Sequence, residues 1–206
     1  MMSSNPDWND YHEYVSLRER GLRREAFQRL NRFLNFLVTE SFNERRDFVC
    51  WLFSENENIE SLAHPLKVKI VEPLLKEWIN CDPNDFRPHL WLGTIPHLWE
   101  AHRLAPDDQD IRWCLALNVL RAIQYEVHEL PIGFLGDDPE GSYTMLLRLR
   151  RLLVPLSASD RPRQVWAEIE SIIEILGNYL DYQRDPKRHP AETFSCWCER
   201  LARRGR

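Results

Sequence analysis

With 206 residues, 43% of them apolar and 29% charged, and with only 7 Gly against 13 Pro, the chain can bury a substantial core and is neither a disordered nor a collagen-like sequence. Its net charge of −5 is mild. No uncharged apolar run approaches the roughly 20 residues of a membrane helix, the richest stretch being broken by Arg148, Arg150, Arg151 and Pro155.

Apolar residues recur at helical spacing along the chain, and Val, Ile and Thr do not alternate with polar residues as in a half-buried strand, which predicts an all-α fold. A first helix is expected from Trp8 to Arg20, stopped by Gly21. A second follows to Thr39, with Leu22, Ala26, Phe27, Leu30, Phe33, Leu34 and Leu37 on one face. Ser41 is the expected cap of a third, Phe42 to Ser54. Polar residues around Asn56 and Asn58 make a connector, a soft division near 54–64 within a single domain spanning 1–206. Pro65 to Asn80 reads as helix with a kink or restart at Pro73, which lacks a backbone donor. Phe86 to Gly93 and Ile95 to Leu104 read as short helices.

A longer helix from Asp108 to Glu129 carries Ile111, Trp113, Cys114, Leu115, Leu117, Val119, Leu120 and Ile123 most of the way round, the pattern of a largely buried element. After a loop from Pro131 to Asp138, the pair Asp138-Pro139 resembles a helix N-cap followed by its first residue, leading into Met145, Leu149, Leu152, Leu153 and Leu156. The next helix aligns Val165, Trp166, Ile169, Ile172, Ile173, Leu176, Tyr179 and Leu180. The last is expected to start at Pro190 and to align Phe194, Trp197 and Leu201. About 8–10 helices joined by short connections favour stacked antiparallel hairpins.

Three places carry a partial likeness to a repeat. Gly21 with Ala26 and Leu30 looks like the turn between paired helices; Pro83 followed by Leu92-Gly93 looks like an exit proline and the start of a next unit; Pro106 with Leu115-Ala116 repeats this weakly. On these residues, about half the chain, the sequence resembles degenerate tetratricopeptide-repeat-like helical-hairpin proteins. The two exit prolines are too close for the family's period of about 34 residues, so a regular array is excluded. The resemblance implies binding of other proteins through a concave or loop-lined surface.

Charge is unevenly placed. Residues 55–140 hold 7 Lys and Arg against 16 Asp and Glu, whereas residues 141–206 hold 12 against 8. Much of the central acidity falls in expected turns: Asp82 and Asp85; Asp107, Asp108 and Asp110; Asp137, Asp138 and Glu140. Gathered at one end of a stack, they would form an acidic rim that attracts a basic protein partner. Aspartates in such places also cap helices without any partner. An acidic centre disfavours nucleic acid, and the terminal Arg200, Arg203, Arg204 and Arg206 read as a basic helix end.

Of eight tryptophans, Trp78, Trp113, Trp166 and Trp197 lie on apolar helical faces and are expected to pack inside. Trp91 and Trp99, beside His89 and His97, are candidates for a surface contact. Metal binding is not expected: His97 and His102 are five residues apart, about 140° round a helix, and Cys196-Trp197-Cys198 lacks a second pair. No cofactor fingerprint or nucleophile elbow is present. Scattered cysteines (Cys50, Cys81, Cys114, Cys196, Cys198) and an N-terminus without a leader pattern lead to the expectation of a reducing cytoplasm.

The expectation is therefore a non-catalytic protein-binding module, one version being an immunity-type inhibitor or adaptor for a basic partner. The contact set is Asp82, Asp85, Trp91, Trp99, Asp107, Asp108, Asp110, Asp137 and Asp138. The alternative is a small hydrolase centred on His128 as general base, oriented by Glu126, Glu129 or Asp137.

Overall fold

A computed structural model describes residues 8–55, 59–130, 132–153, 161–185, 187–188 and 190–204. Expectations that fall on Asn56, Asn58, Pro131, Pro155, Leu156 and Arg206 lie outside these. The chain is all-α, about 81% helical, with no strand among the described residues. It divides into two compact units, residues 1–93 and 94–206, and the connector at 54–64 lies within the first.

The first unit begins with α1 (Asn9–Glu19) and α2 (Arg23–Thr39). Between them Gly21 takes φ +77°, and the N–H groups of Gly21 and Leu22 donate to the carbonyls of Arg18 and Leu17. This closes α1 with a Schellman motif, which needs a residue tolerant of the left-handed region. The two helices run antiparallel: Arg29 of α2 pairs with Asp10 and Glu13, Tyr14 meets Phe27 and Tyr11 meets Phe33.

α3 (Phe42–Glu55) starts with a capping box. The Ser41 hydroxyl accepts from the Glu44 N–H at 3.3 Å, while the Glu44 carboxylate accepts from the Ser41 N–H at 3.0 Å and from its hydroxyl. The core gathers Leu30, Phe33, Leu34 and Leu37 of α2 with Phe48, Val49 and Leu52 of α3, and Trp8, Tyr11 and Tyr14 close it. Burial pushes the Tyr11 hydroxyl up to about 12, aided by nearby Tyr14.

After a 3₁₀ turn at Ile59–Ser61, a helical run is built from α4 (His64–Leu66), a π turn over Lys67–Val71 and α5 (Glu72–Cys81). This is the physical form of the restart expected at Pro73. The ladder widens just ahead of the proline, the Glu72 N–H reaching back to the Lys67 carbonyl, and Pro73, which has no N–H to donate, follows directly in α5. Leu66, Ile70, Val71, Leu74, Leu75 and Trp78 face the core. α6 (Arg87–Leu92) ends on Gly93 at φ +69°.

The second unit comprises α7 (Ile95–Leu104), α8 (Gln109–Val127), α9 (Pro139–Leu153), α10 (Arg161–Arg184) and α11 (Phe194–Arg204). α8 is its buried axis: none of residues 111–120 is exposed, and Trp113, Cys114 and Leu117 are half-buried where Ile111, Leu115, Val119 and Leu120 are fully covered. α9 starts at Asp138-Pro139 as expected, with the Asp138 carboxylate accepting from the Gly141 N–H at 2.8 Å. It lies antiparallel to α10, where Glu140 pairs with Arg184, Arg150 pairs with Glu170, and Tyr143 covers Gly177.

α11 starts at Phe194, four residues later than the proline suggested, because residues 190 and 191 form a turn and the Thr193 hydroxyl accepts from the Cys196 N–H. Its indole, Trp197, donates to Asp185 at 2.8 Å, and Arg200 forks onto Asp185 and Glu192 at 2.8–3.0 Å. The Trp197 indole, the Lys187 backbone N–H and the Arg200 guanidinium hold the Asp185 carboxyl down at about 2.

Candidate functional site

Each acidic residue expected at a contact surface has a definite place. Asp82, Asp85 and Trp91 belong to the first unit; Trp99, Asp107, Asp108, Asp110, Asp137 and Asp138 belong to the second. Asp82 accepts from the Asn84 N–H in a turn. Asp85 is largely covered and accepts from the Arg87 backbone N–H and its guanidinium at 2.6–3.1 Å. Burial alone would raise the Asp85 carboxyl, but the Arg87 bonds and a bond from Trp78 outweigh it and leave the group below the usual carboxylate range. Asp108 caps α8 through the N–H groups of Asp110 and Ile111, at 2.9 and 3.0 Å. Asp138 caps α9.

These four carboxylates therefore stabilise their own turns. Asp107 projects fully into solvent, 3.4 Å from an Arg112 nitrogen. Asp110 and Asp137 are exposed and make no side-chain bond among the described residues.

The two candidate tryptophans differ. Trp91 stacks flat on Phe53, with ring centres 4.7 Å apart, and meets Trp78 edge-on at 5.7 Å. It extends the first unit's core. Trp99 instead lines an open groove of about 600 Å³ together with Met145, Arg148, Arg151 and Leu152 of α9. α9 buries Leu146, Leu149 and Leu153. Residues 145, 148 and 152, three and four apart, form the adjoining face, and Arg151 stands one turn beyond Arg148.

The surrounding charges are mostly spent. Arg103 grips Glu100 at 2.6 Å, Arg112 binds the Pro106 carbonyl at 2.7 Å, and Arg150 is engaged by Glu170. Arg148 and Arg151 have no ion-pair partner among the described residues. The His102 ring stands at a steep angle to Trp99, with centres 6.2 Å apart, and burial together with Arg112 lowers its pKa.

The groove's arginines were legible only as interruptions of a leucine-rich run. The signal that finds them is that 145, 148 and 152 share one helical face beside the buried stripe.

At the end of α8 the His128 Nδ1 lies 2.5 Å from the Tyr125 carbonyl, and Nε2 lies 3.1 Å from Glu129. Glu126 is occupied elsewhere, its carboxylate accepting from the Ser142 hydroxyl at 2.5 Å and its carbonyl from the Leu135 N–H. Of the three carboxylates considered as orienting groups, Glu129 is the one that meets His128. Glu126 fastens the 132–138 loop and α9 to the end of α8. No protein-family model, no curated protein and no solved structure matches this chain. Among the described residues no cluster of His, Cys, Asp or Glu has the geometry to hold a metal, and no helix is long and apolar enough to cross a membrane.

Proposed function

We propose that the chain is a non-catalytic protein-binding module that holds a partner protein at the Trp99 groove of its second unit. The observation that carries this is a half-buried tryptophan framed by Met145 and Leu152 and flanked by two arginines that have no ion-pair partner among the described residues. Trp, Met and Arg are the side chains most enriched at the centres of protein interfaces, and a large aromatic in a concavity supplies contact area at little entropic cost.

The antiparallel pairs α1–α2 and α9–α10 agree with an irregular, tetratricopeptide-like arrangement of hairpins, which is part of this proposal. An adaptor and an immunity-type inhibitor are both forms such a module takes. The acidic turns support a basic partner less well, since Asp82, Asp85, Asp108 and Asp138 are engaged within their own turns.

The test is retention of a native partner on immobilised wild-type chain, on Trp99→Ala and on Tyr125→Ala, the last a control at an exposed ring away from the groove. Loss with Trp99→Ala alone, at unchanged melting temperature, supports the reading. Equal retention by all three overturns it.

A further inference from the structure

We propose that the occupant of the Trp99 groove is an acidic segment of the partner, an apolar side chain resting on Trp99, Met145 and Leu152 while flanking carboxylates meet Arg148 and Arg151. This rests on the binding-module reading above and reverses the sign of charge that composition suggests for the partner.

Shape argues for a peptide. The concavity is open and lined by Trp99, Met145 and Leu152 between the two arginines, so it suits one anchoring side chain and the backbone beside it. Charge argues for acid. Three arginines lie within one turn of α9, and the middle one, Arg150, is engaged by Glu170 across the α9–α10 contact. Arg148 and Arg151 line the groove instead, with no ion-pair partner among the described residues. Nearby Arg103 and Arg112 are occupied by Glu100 and by Asp107 with the Pro106 carbonyl. Three positions apart, the two guanidinium forks stand on neighbouring turns of one helical face and can each take a carboxylate bidentately. A nucleic-acid strand would need more cations than these two and would gain little from the Met and Leu floor.

The experiment selects a displayed library of random 12-residue peptides on the full chain alone, and the Arg148→Ala/Arg151→Ala double variant enters only at the titration. Synthetic versions of the winners are then titrated by fluorescence polarisation. Winners should be net acidic with a Leu, Phe or Met anchor. Their affinity should fall about 10-fold in the double variant and about 30-fold in Trp99→Ala. Leu152→Glu, which places a carboxylate on the floor, should give a comparable loss without truncating the tryptophan.

Winners that are net basic, or that bind the double variant as well as wild type while still losing affinity in Trp99→Ala, overturn the acidic chemistry and leave the binding module standing. Winners indifferent to both Trp99→Ala and Leu152→Glu overturn the acidic segment and the module reading together. A concentration-dependent dimer in sedimentation that disappears in Trp99→Ala makes a second copy of this chain the occupant and overturns the peptide.

Discussion

Asp108 is the sharpest test of whether the acidic turns serve the fold or a partner. Its carboxylate accepts from two N–H groups that open α8, the buried axis of the second unit. Removing such a cap in Asp108→Ala costs about 1 kcal/mol, within a range of about 0.5–2. Asp108→Asn keeps an acceptor in place and loses only the charge beside the helix N-terminus, about 0.3–1 kcal/mol. For a unit of roughly 110 residues the unfolding entropy near the midpoint is about 0.23 kcal/mol/K, so 1 kcal/mol is about 4 °C. Asp107→Ala, one residue away but fully exposed, should stay within about 0.5 kcal/mol, or 2 °C. Thermal unfolding followed by calorimetry should therefore rank Asp108→Ala, Asp108→Asn and Asp107→Ala in decreasing order of destabilisation. A loss under 1 °C in Asp108→Ala, or an equal loss in Asp107→Ala, would refute the assignment of Asp108 to the helix.

Further outcomes follow from the same geometry. Phe48 is fully buried, with ring centres of Phe33, Trp8 and Tyr11 at 4.8–5.3 Å, so Phe48→Ala should cost about 3–5 kcal/mol and Phe48→Leu about 1.5 or less, read as shifts of the urea midpoint. The Asp185 carboxyl at about 2 makes the α10–α11 clasp fully effective above the ordinary Asp value near 4, weakening as pH falls toward 2; an NMR titration should find it ionised at pH 3, and Trp197→Phe should move it back toward 4. At the start of α3, Ser41→Ala removes the hydroxyl bond, the largest cause holding the Glu44 carboxyl below its usual range, and keeps the backbone N–H bond, so the same titration should show Glu44 rising part of the way.

Local punctuation was readable because its chemistry is local. Ser41 before Phe42, Asp138 before Pro139 and Gly21 after the first helix each satisfy backbone groups of their own helix end, whereas Gly93, taken with Leu92 for the start of a next unit, closes α6. The start of α11 was not readable in the same way: Pro190 could have opened a helix, and only the Thr193 hydroxyl bonded to Cys196 fixes the start at Phe194. Trp91 and Trp99 look alike in sequence, both beside histidines on short helices. Trp91 is taken by Phe53, nearly forty residues away, and no local pattern encodes that partner. Of the acid expected at turns, Asp110 and Glu140 lie instead in the first turns of α8 and α9, and whether an aspartate caps or projects depends on which backbone N–H groups are in reach, as Asp107 and Asp108 show.

Hydrogen–deuterium exchange of the full chain, with and without its captured partner, tests the binding surface most directly. Slowed exchange over residues 95–104 and 145–152, with the 105–110 and 132–138 turns unchanged, is the outcome expected of the Trp99 groove. Protection confined to those acidic turns, with α7 and the Met145 to Leu152 face exchanging as before, would contradict it.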